Sequence, residues 1–286
     1  MALEQDERSG PRVGNRSSRI LGGSGGARSA AIAAVSTVVF FGVLVAVVVN
    51  APNWPEVQEQ FFNWGVFKNS FPDIADAFKT NVKLFLIAEV FILVLALFLA
   101  VMRSLPGPVF FPLRVLSTAY TDVFRGIPTI LLVYLLGFGI PGLQLHGVPN
   151  SQFFWAAVAL VLVYSAYVAE VYRAGIESIH PSQSAAARSL GLSHAQSMRY
   201  VVLPQAVRRV IPPLLNDFIG LQKDTALVAL LGVVEAFRQS QIESAAAFNY
   251  TPYLATALLF LLLTIPLTRF TDWLIARNRR RELARG

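Results

Sequence analysis

Several charged and amide side chains stand in stretches otherwise apolar enough to cross a membrane. Glu89 lies inside the run from Phe78 to Met102, Glu170 near the end of the run from Gln152 to Ile176, and Asn216, Asp217, Lys223 and Asp224 between Gln205 and Ala236. Such groups are costly in hydrocarbon and are tolerated only against protein or a wet cavity, so they mark a route for a polar solute. A carboxylate there can receive an ammonium group through a charge-assisted hydrogen bond. Asp217 and the Lys223–Asp224 pair lie about 9 to 10 Å apart along an unbroken helix, too far for one direct ion pair. Lys223 and Asp224 are read as stabilising a helix break. Asp217 is read either as a substrate contact or as a buried acid paired within a dimer. Glu89 faces a cavity or a subunit contact, and Glu170 is mainly structural, pairing with Arg173, with a substrate contact kept open.

Other chemistry is excluded. With no cysteine there is no disulfide, thiol nucleophile or cysteine metal site. His146, His180 and His194 lack metal-ligand spacing, and no Ser/His/Asp order or credible carboxylate pair appears. No metal and no cofactor is expected on this chain, and it is not expected to be an enzyme.

The polar stretch from Glu170 to Gly232, set between apolar spans, organises the rest. Ser182 can cap a short helix from Gln183 to Leu190, which Gly191 can end in the left-handed conformation. A second helix can run from Ser193 to Tyr200, with Pro204 opening the next. Two short helices meeting at a glycine make a compact knob. Within it, Ala185-Ala186-Ala187, then Gly191, then Val201-x-Leu203-Pro204, resembles the EAA loop of membrane subunits of bacterial ABC importers. The flanks RAGIESI, LPQAVRR, PPLLNDFIGLQKD and LVALLGV resemble its polar amino-acid permease branch. The similarity reaches with gaps from about Phe78 to the C-terminus. Two positions depart from it: Ala185 stands in place of the usual Glu, and Val201 in place of Ile.

The resemblance implies that Ala185, Ala186, Ala187, Gly191, Leu203 and Pro204 dock on a separate cytoplasmic ATPase, which binds ATP and magnesium. It also implies an external solute-binding protein and an amino-acid cargo. At Asp217 the resembling permeases carry Gln or an acid in the same N-x-F frame, which suits cargo selection. Tyr120 to Pro128 resembles the family's aromatic-Arg-Gly-Thr-Pro entry, with Ile127 at the Thr position.

Composition supports the membrane reading on its own. The 286 residues are 55% hydrophobic and 14% charged, against roughly 25% charged in soluble domains. Net charge is +7, but the basic residues cluster beside apolar spans, which points to topology and not to nucleic acid.

In chain order, residues 1–29 read as a disordered cytoplasmic tail, whose glycine run Gly22–Gly26 lacks the Lys-Ser/Thr of a phosphate loop. Residues 30–49 read as an extra N-terminal transmembrane helix, retained and not cleaved as a signal. Residues 50–77 read as an external segment with one interfacial helix near Trp54 to Trp64. The importer domain is placed at 78–276, with spans at Phe78–Met102, Leu113–Ile140 (kinked at Pro128), Gln152–Ile176, Gln205–Ala236 and Tyr253–Ile275. Its coupling loop covers about 177–204, and residues 277–286 form a basic cytoplasmic tail. Asp122 and Arg125 can pair at their spacing of three. Glu235 to Asn249 reads as an external amphipathic excursion.

The fold expected is therefore an all-α integral membrane protein of about six transmembrane helices, five in a type I ABC importer core and one extra. With both termini cytoplasmic, only Lys68, Lys79, Lys83, Lys223 and Arg238 of the 24 basic residues fall outside the cytoplasmic side. A polar fifth span cannot face lipid, so a second permease subunit, identical or similar, is expected. The implied function is ATP-driven import of polar or charged amino acids across the bacterial inner membrane. An ion-gradient transporter or channel, and a structural or sensory membrane protein, are the alternatives.

Overall fold

The computed structural model describes residues 26–283. The tail expected over 1–29 lies outside the described residues as far as residue 25. The chain divides into two compact units after Glu59.

In the first unit, α1 (Gly26–Val49) starts a turn before the expected Ala30. Its stretch Arg28–Val49 is long and apolar enough to cross a bilayer, since 22 residues rise about 33 Å. It carries no charge beyond Arg28 and lies outside the stretch that resembles the permeases. We therefore expect deletion of residues 1–50 to leave uptake per correctly inserted molecule within about twofold of the full chain. Transport counts normalised to surface-labelled protein check this.

The helix α2 (Trp54–Phe61) leads into the second unit, which α3 (Trp64–Ser104) opens. Over residues 50–77, expected as an external segment with one interfacial helix, α2 stands where that helix was expected and α3 begins directly after it. Residues 64–77 are helical and continuous with the span: Asn63 caps the helix through Val66 N–H, and the helix runs on past Pro72 in its interior. Phe67, Phe71 and Ile74 of this added length pack with Ala236, Ala255 and Phe260.

The helices α4 (Phe111–Gly126) and α5 (Thr129–Gly142) replace the single kinked span expected over 113–140. They meet at 99°. Pro128 disfavours helix at the residue before it, and Ile127 is extended at φ −91°, ψ 130°. Then come α6 (Gln152–Glu177), α7 (Pro181–Ser189), α8 (His194–Ser197), one π-helical turn (Met198–Val202) and α9 (Leu203–Asp224). A 3-10 segment (Thr225–Leu231), α10 (Ala236–Ala247) and α11 (Thr251–Leu283) complete the unit. The helix α11 runs through the basic stretch expected as a tail.

The core forms where α3 and α6 approach each other. Leu84, Ala88, Ile92 and Ala96 recur every fourth residue on α3 and meet Ala156, Ala159, Leu160 and Val163 of α6, with Val133 and Leu221 beside them. Spacing by four puts one face of α3 against its partner, and the alanines let the backbones approach. Among the described residues, four helices are long and apolar enough to cross a membrane, or five if the bent pair is one span. The expected fifth span is not among them, because α9 carries Arg208, Arg209, Asp217, Lys223 and Asp224.

The polar excursion expected from Glu235 also turns inward at its start. Glu235 is fully buried, caps α10 through Phe237 N–H and Arg238 N–H, and accepts a 2.8 Å hydrogen bond from Asn81 Nδ2. Asn81 Nδ2 also reaches Thr225 Oγ1, and Asn81 Oδ1 accepts from Ala236 N–H. A charged residue at a segment boundary suggests solvent, but at a helix start it satisfies orphan N–H groups.

Candidate functional site

The knob follows from capping chemistry. Pro181 is preset for a first helical position, which moves the start of α7 two residues ahead of the expected one. The cap is therefore His180, not Ser182: His180 Nδ1 accepts from Ser182 N–H at 3.2 Å. At the other end Gly191 has φ +88°. Gly191 N–H donates to Arg188 O at 3.0 Å and Leu192 N–H to Ala187 O at 3.2 Å, the paired bonds of a Schellman ending. Ser193 then closes a capping box with Gln196, each side chain bonding the other's backbone N–H.

The expected second helix does not stop at Tyr200. Pro204 offers no N–H to Tyr200 O, and a π turn absorbs the mismatch, with Leu203 N–H reaching Met198 O. Helix therefore runs on from the knob into α9. Ser184 Oγ lies 3.1 Å from Ser197 Oγ and joins the two short helices. Of the alanine triplet, Ala187 is buried, while Ala185 and Ala186 are exposed. Leu190 is 84% exposed at the tip, and Leu203 and Pro204 are exposed.

The knob is seated where α6 and α9 touch. Ile179, Val202 and Ala206 form a small core with Ile176 and Met198. At Gly175 an added Cβ would sit 2.0 Å from a Val210 methyl, so only glycine permits this crossing. Arg209 Nη1 donates to Ser178 O.

Along α9 the polar side chains separate into two groups. Asp217 is partly buried, and its Oδ2 is buried with no hydrogen-bond partner. It shares an electrostatic neighbourhood with Glu89 of α3, Tyr164 of α6 and Arg125 of α4. Glu89, also partly buried, acts in turn on Tyr172. The Phe85 and Phe218 rings, 4.3 Å apart edge to face, hold α3 against α9 beside these acids. Asn216 is exposed. Two turns further, Asp224 accepts a 2.9 Å hydrogen bond from Tyr164 Oη, while Lys223 is exposed. Both sit where α9 gives way to the 3-10 segment, the helix break read from the sequence.

The structure does not bring Glu170 to this group. Its Oε2 accepts from Arg103 Nη1 at 3.0 Å, and Arg173 grips both oxygens. Arg173 also pairs with Glu177. The Glu170–Arg173 pairing follows the spacing of three, whereas Arg103 comes from 67 residues away and left no local signal. Among the described residues no Asp122–Arg125 ion pair forms; Arg125 lies 5.6 Å from the centroid of the Tyr167 ring instead. Tyr164, which holds Asp224, was missed because a lone tyrosine in an apolar run reads as packing.

Comparison with known proteins places this arrangement. Residues 104–280 match the family described as binding-protein-dependent transport system inner membrane component. The chain is 36% identical over 218 residues to the probable glutamine ABC transporter permease protein GlnM of Bacillus subtilis, covering 75% of this chain and 97% of that one. It is 33% identical to the arginine transport system permease protein ArtQ of the same organism, covering 69% and 88%. The glutamate transport system permease protein GluC of Corynebacterium glutamicum is 35% identical, with 68% and 90% covered. Among solved structures, an amino acid ABC transporter superposes with a TM-score of 0.65 at 31% identity, covering 72% of this chain and 94% of that one. The methionine transporter MetNI, in an inward-facing conformation, shares the fold with a TM-score of 0.57 at 18% identity. With its apolar helices and this match over most of its length, the chain is a multi-pass membrane protein and belongs to the inner-membrane permease components of binding-protein-dependent ABC transporters.

Proposed function

We propose that this chain forms the translocation path of an ATP-driven importer of polar or charged amino acids. The observation that carries the reading is the continuity of helix from the Gly191 knob through the π turn into α9, the helix that holds Asp217. Displacement of the knob acts directly on the carboxylate that faces cargo. Ala185, Ala186, Ala187, Gly191, Leu203 and Pro204 contact a separate ATPase dimer, which binds ATP and magnesium. Exposure of Ala185, Ala186, Leu190 and Leu203 suits that role. The absence of the usual acid at Ala185 shifts docking towards apolar contact, with Leu190 at its centre.

Asp217 and Glu89 receive a cationic group of the amino acid, either its α-ammonium or a basic side chain, and Asn216 lies beside them. Asp217 Oδ2 has no hydrogen-bond partner of its own and suits that role. Lys223 and Asp224 keep the helix break. A second permease subunit, identical or similar, covers the polar face of α9, an extracytoplasmic solute-binding protein delivers cargo, and both termini are cytoplasmic.

Affinity purification of the tagged chain from its own membrane tests this. An ATPase subunit and a solute-binding protein carrying an amino acid are expected in the eluate. A complex that transports without either would point to a secondary transporter.

A further inference from the structure

Between the end of α3 and the knob runs a ladder of charges that neither the knob nor the cargo group accounts for. Arg103 stands on the last turn of α3, two residues before the extended Leu105 ends the helix. Its guanidinium crosses to Glu170 of α6 at 3.0 Å, Glu170 is held in turn by Arg173, and Arg173 by Glu177 at the end of α6. The three inner side chains are only 23 to 26% exposed, so this is not a solvated surface pair. Ser178 caps the same helix end, and its carbonyl is taken by Arg209 of α9. The ladder therefore ends where the knob begins.

Two further contacts limit how α3 can move here. Ser117 Oγ of α4 donates to Leu99 O, and Arg114 Nη1 donates to Leu105 O and Gly107 O, each at 2.7 Å, which ties off the last carbonyls after α3. Among the described residues Arg103 thus pairs with one acid, Glu170, on a different helix, in a joint whose backbone is held on both sides. The same helix α3 carries Glu89 fourteen residues earlier, about 21 Å up its axis at 1.5 Å per residue. The charge-assisted hydrogen bond from Arg103 to Glu170 adds a directional tie between the two helix ends.

We propose that Arg103 is a positioning residue for transport: by holding Glu170 it makes the end of α3 and the knob-bearing end of α6 move as one body. Motion of the knob then reaches Glu89 through α3 as well as Asp217 through α9, and both carboxylates shift together. This rests on the knob being the ATPase contact proposed above.

The chain lacks cysteine, so a pair of engineered cysteines at Ser104 and Ala174, both exposed, can carry spin labels with no background from this chain. In the complex purified with its ATPase, in nanodiscs, we expect the distance between the two labels of one subunit to be narrowly distributed and unchanged between the nucleotide-free and ATP-trapped states. In Arg103→Gln the distribution broadens or shifts when ATP is trapped, and in proteoliposomes uptake of radiolabelled arginine, glutamine or glutamate per ATP hydrolysed falls about fivefold. Arg103→Lys, which keeps the charge, restores most of that ratio. Gly191→Val measured alongside separates the two ideas. If it uncouples transport while Arg103→Gln keeps the wild-type ratio and a narrow distribution, the joint is refuted and the knob stands. If Gly191→Val leaves coupling intact, the knob reading fails first. Equal loss of ATPase and uptake in Arg103→Gln, with lowered thermal stability and unchanged distances, would assign Arg103 to folding alone and overturn the proposal.

Discussion

Replacing Gly191 by valine is expected to cut uptake by about tenfold or more while the chain still inserts and assembles. Gly191 holds φ +88° and ends α7 through two backbone hydrogen bonds. A left-handed conformation costs an ordinary L-residue roughly 1 to 2 kcal/mol, and a β-branched one more. An added Cβ meets no atom within 4 Å at this position, so the effect is conformational and not a clash. The valine chain relieves its strain by leaving φ > 0, which reorients the start of α8 relative to α7 and the exposed Leu190 at its end. A shift of about 1.4 kcal/mol in the coupling step already gives tenfold. Uptake and ATPase activity measured together on the purified complex in proteoliposomes check this. Gly191→Asn should recover part of the loss, because asparagine tolerates the left-handed region better than other non-glycine residues.

The second large effect falls on cargo choice. Asp217→Asn removes the charge and keeps the shape, so the complex should assemble normally. A hydrogen bond to a charged group contributes roughly 1.5 to 3 kcal/mol, and its loss should lower uptake of the preferred amino acid about tenfold to a hundredfold. Because the asparagine amide can donate, the variant should also accept an amino acid that the native complex rejects. A panel of acidic, neutral and basic amino acids, competed against one labelled cargo, reads both changes. Identical preference and kinetics would take Asp217 out of the path. Glu89→Gln should move the same panel in the same direction if the two acids act together.

Much of this molecule was legible because its strongest signals are local. Gly191 and Ser193 mark a helix stop and the start of the next short helix, and both sit where their chemistry requires; Pro204 was read as opening a new helix, whereas helix runs through it by way of the π turn. The cap at His180 was missed because serine is the commoner capping residue, yet Pro181 fixes the start of α7 two positions earlier than a cap at Ser182 would allow. The break at Ile127–Pro128 was visible as a proline, but its 99° bend was not. A proline shows only that a helix is interrupted; how far the halves fold apart is set by what they pack on, here α6 and the 3-10 segment.

Contacts distant in sequence were the illegible part. Glu170 was read as structural through Arg173, three residues on, and that pair forms, whereas its second partner Arg103 lies 67 residues away. The stretch from Glu235 was read as an external excursion because Asn81, which holds its carboxylate, lies 154 residues away. Asp217 differs, since its carboxylate keeps a buried oxygen without any partner. That contrast among three acids of similar setting supports its assignment to cargo more firmly than their shared position in apolar segments did.

The central claim, that this chain conducts an amino acid under the drive of a separate ATPase, is tested most directly in proteoliposomes. The chain is reconstituted with the ATPase and solute-binding protein that copurify with it, ion gradients are collapsed, and ATP is supplied on the ATPase side. Accumulation of labelled amino acid against its gradient is predicted, dependent on ATP and on the binding protein, and lost when the catalytic glutamate of the ATPase is replaced by glutamine. Accumulation driven by a proton or sodium gradient, in vesicles holding this chain without any ATPase, would contradict it.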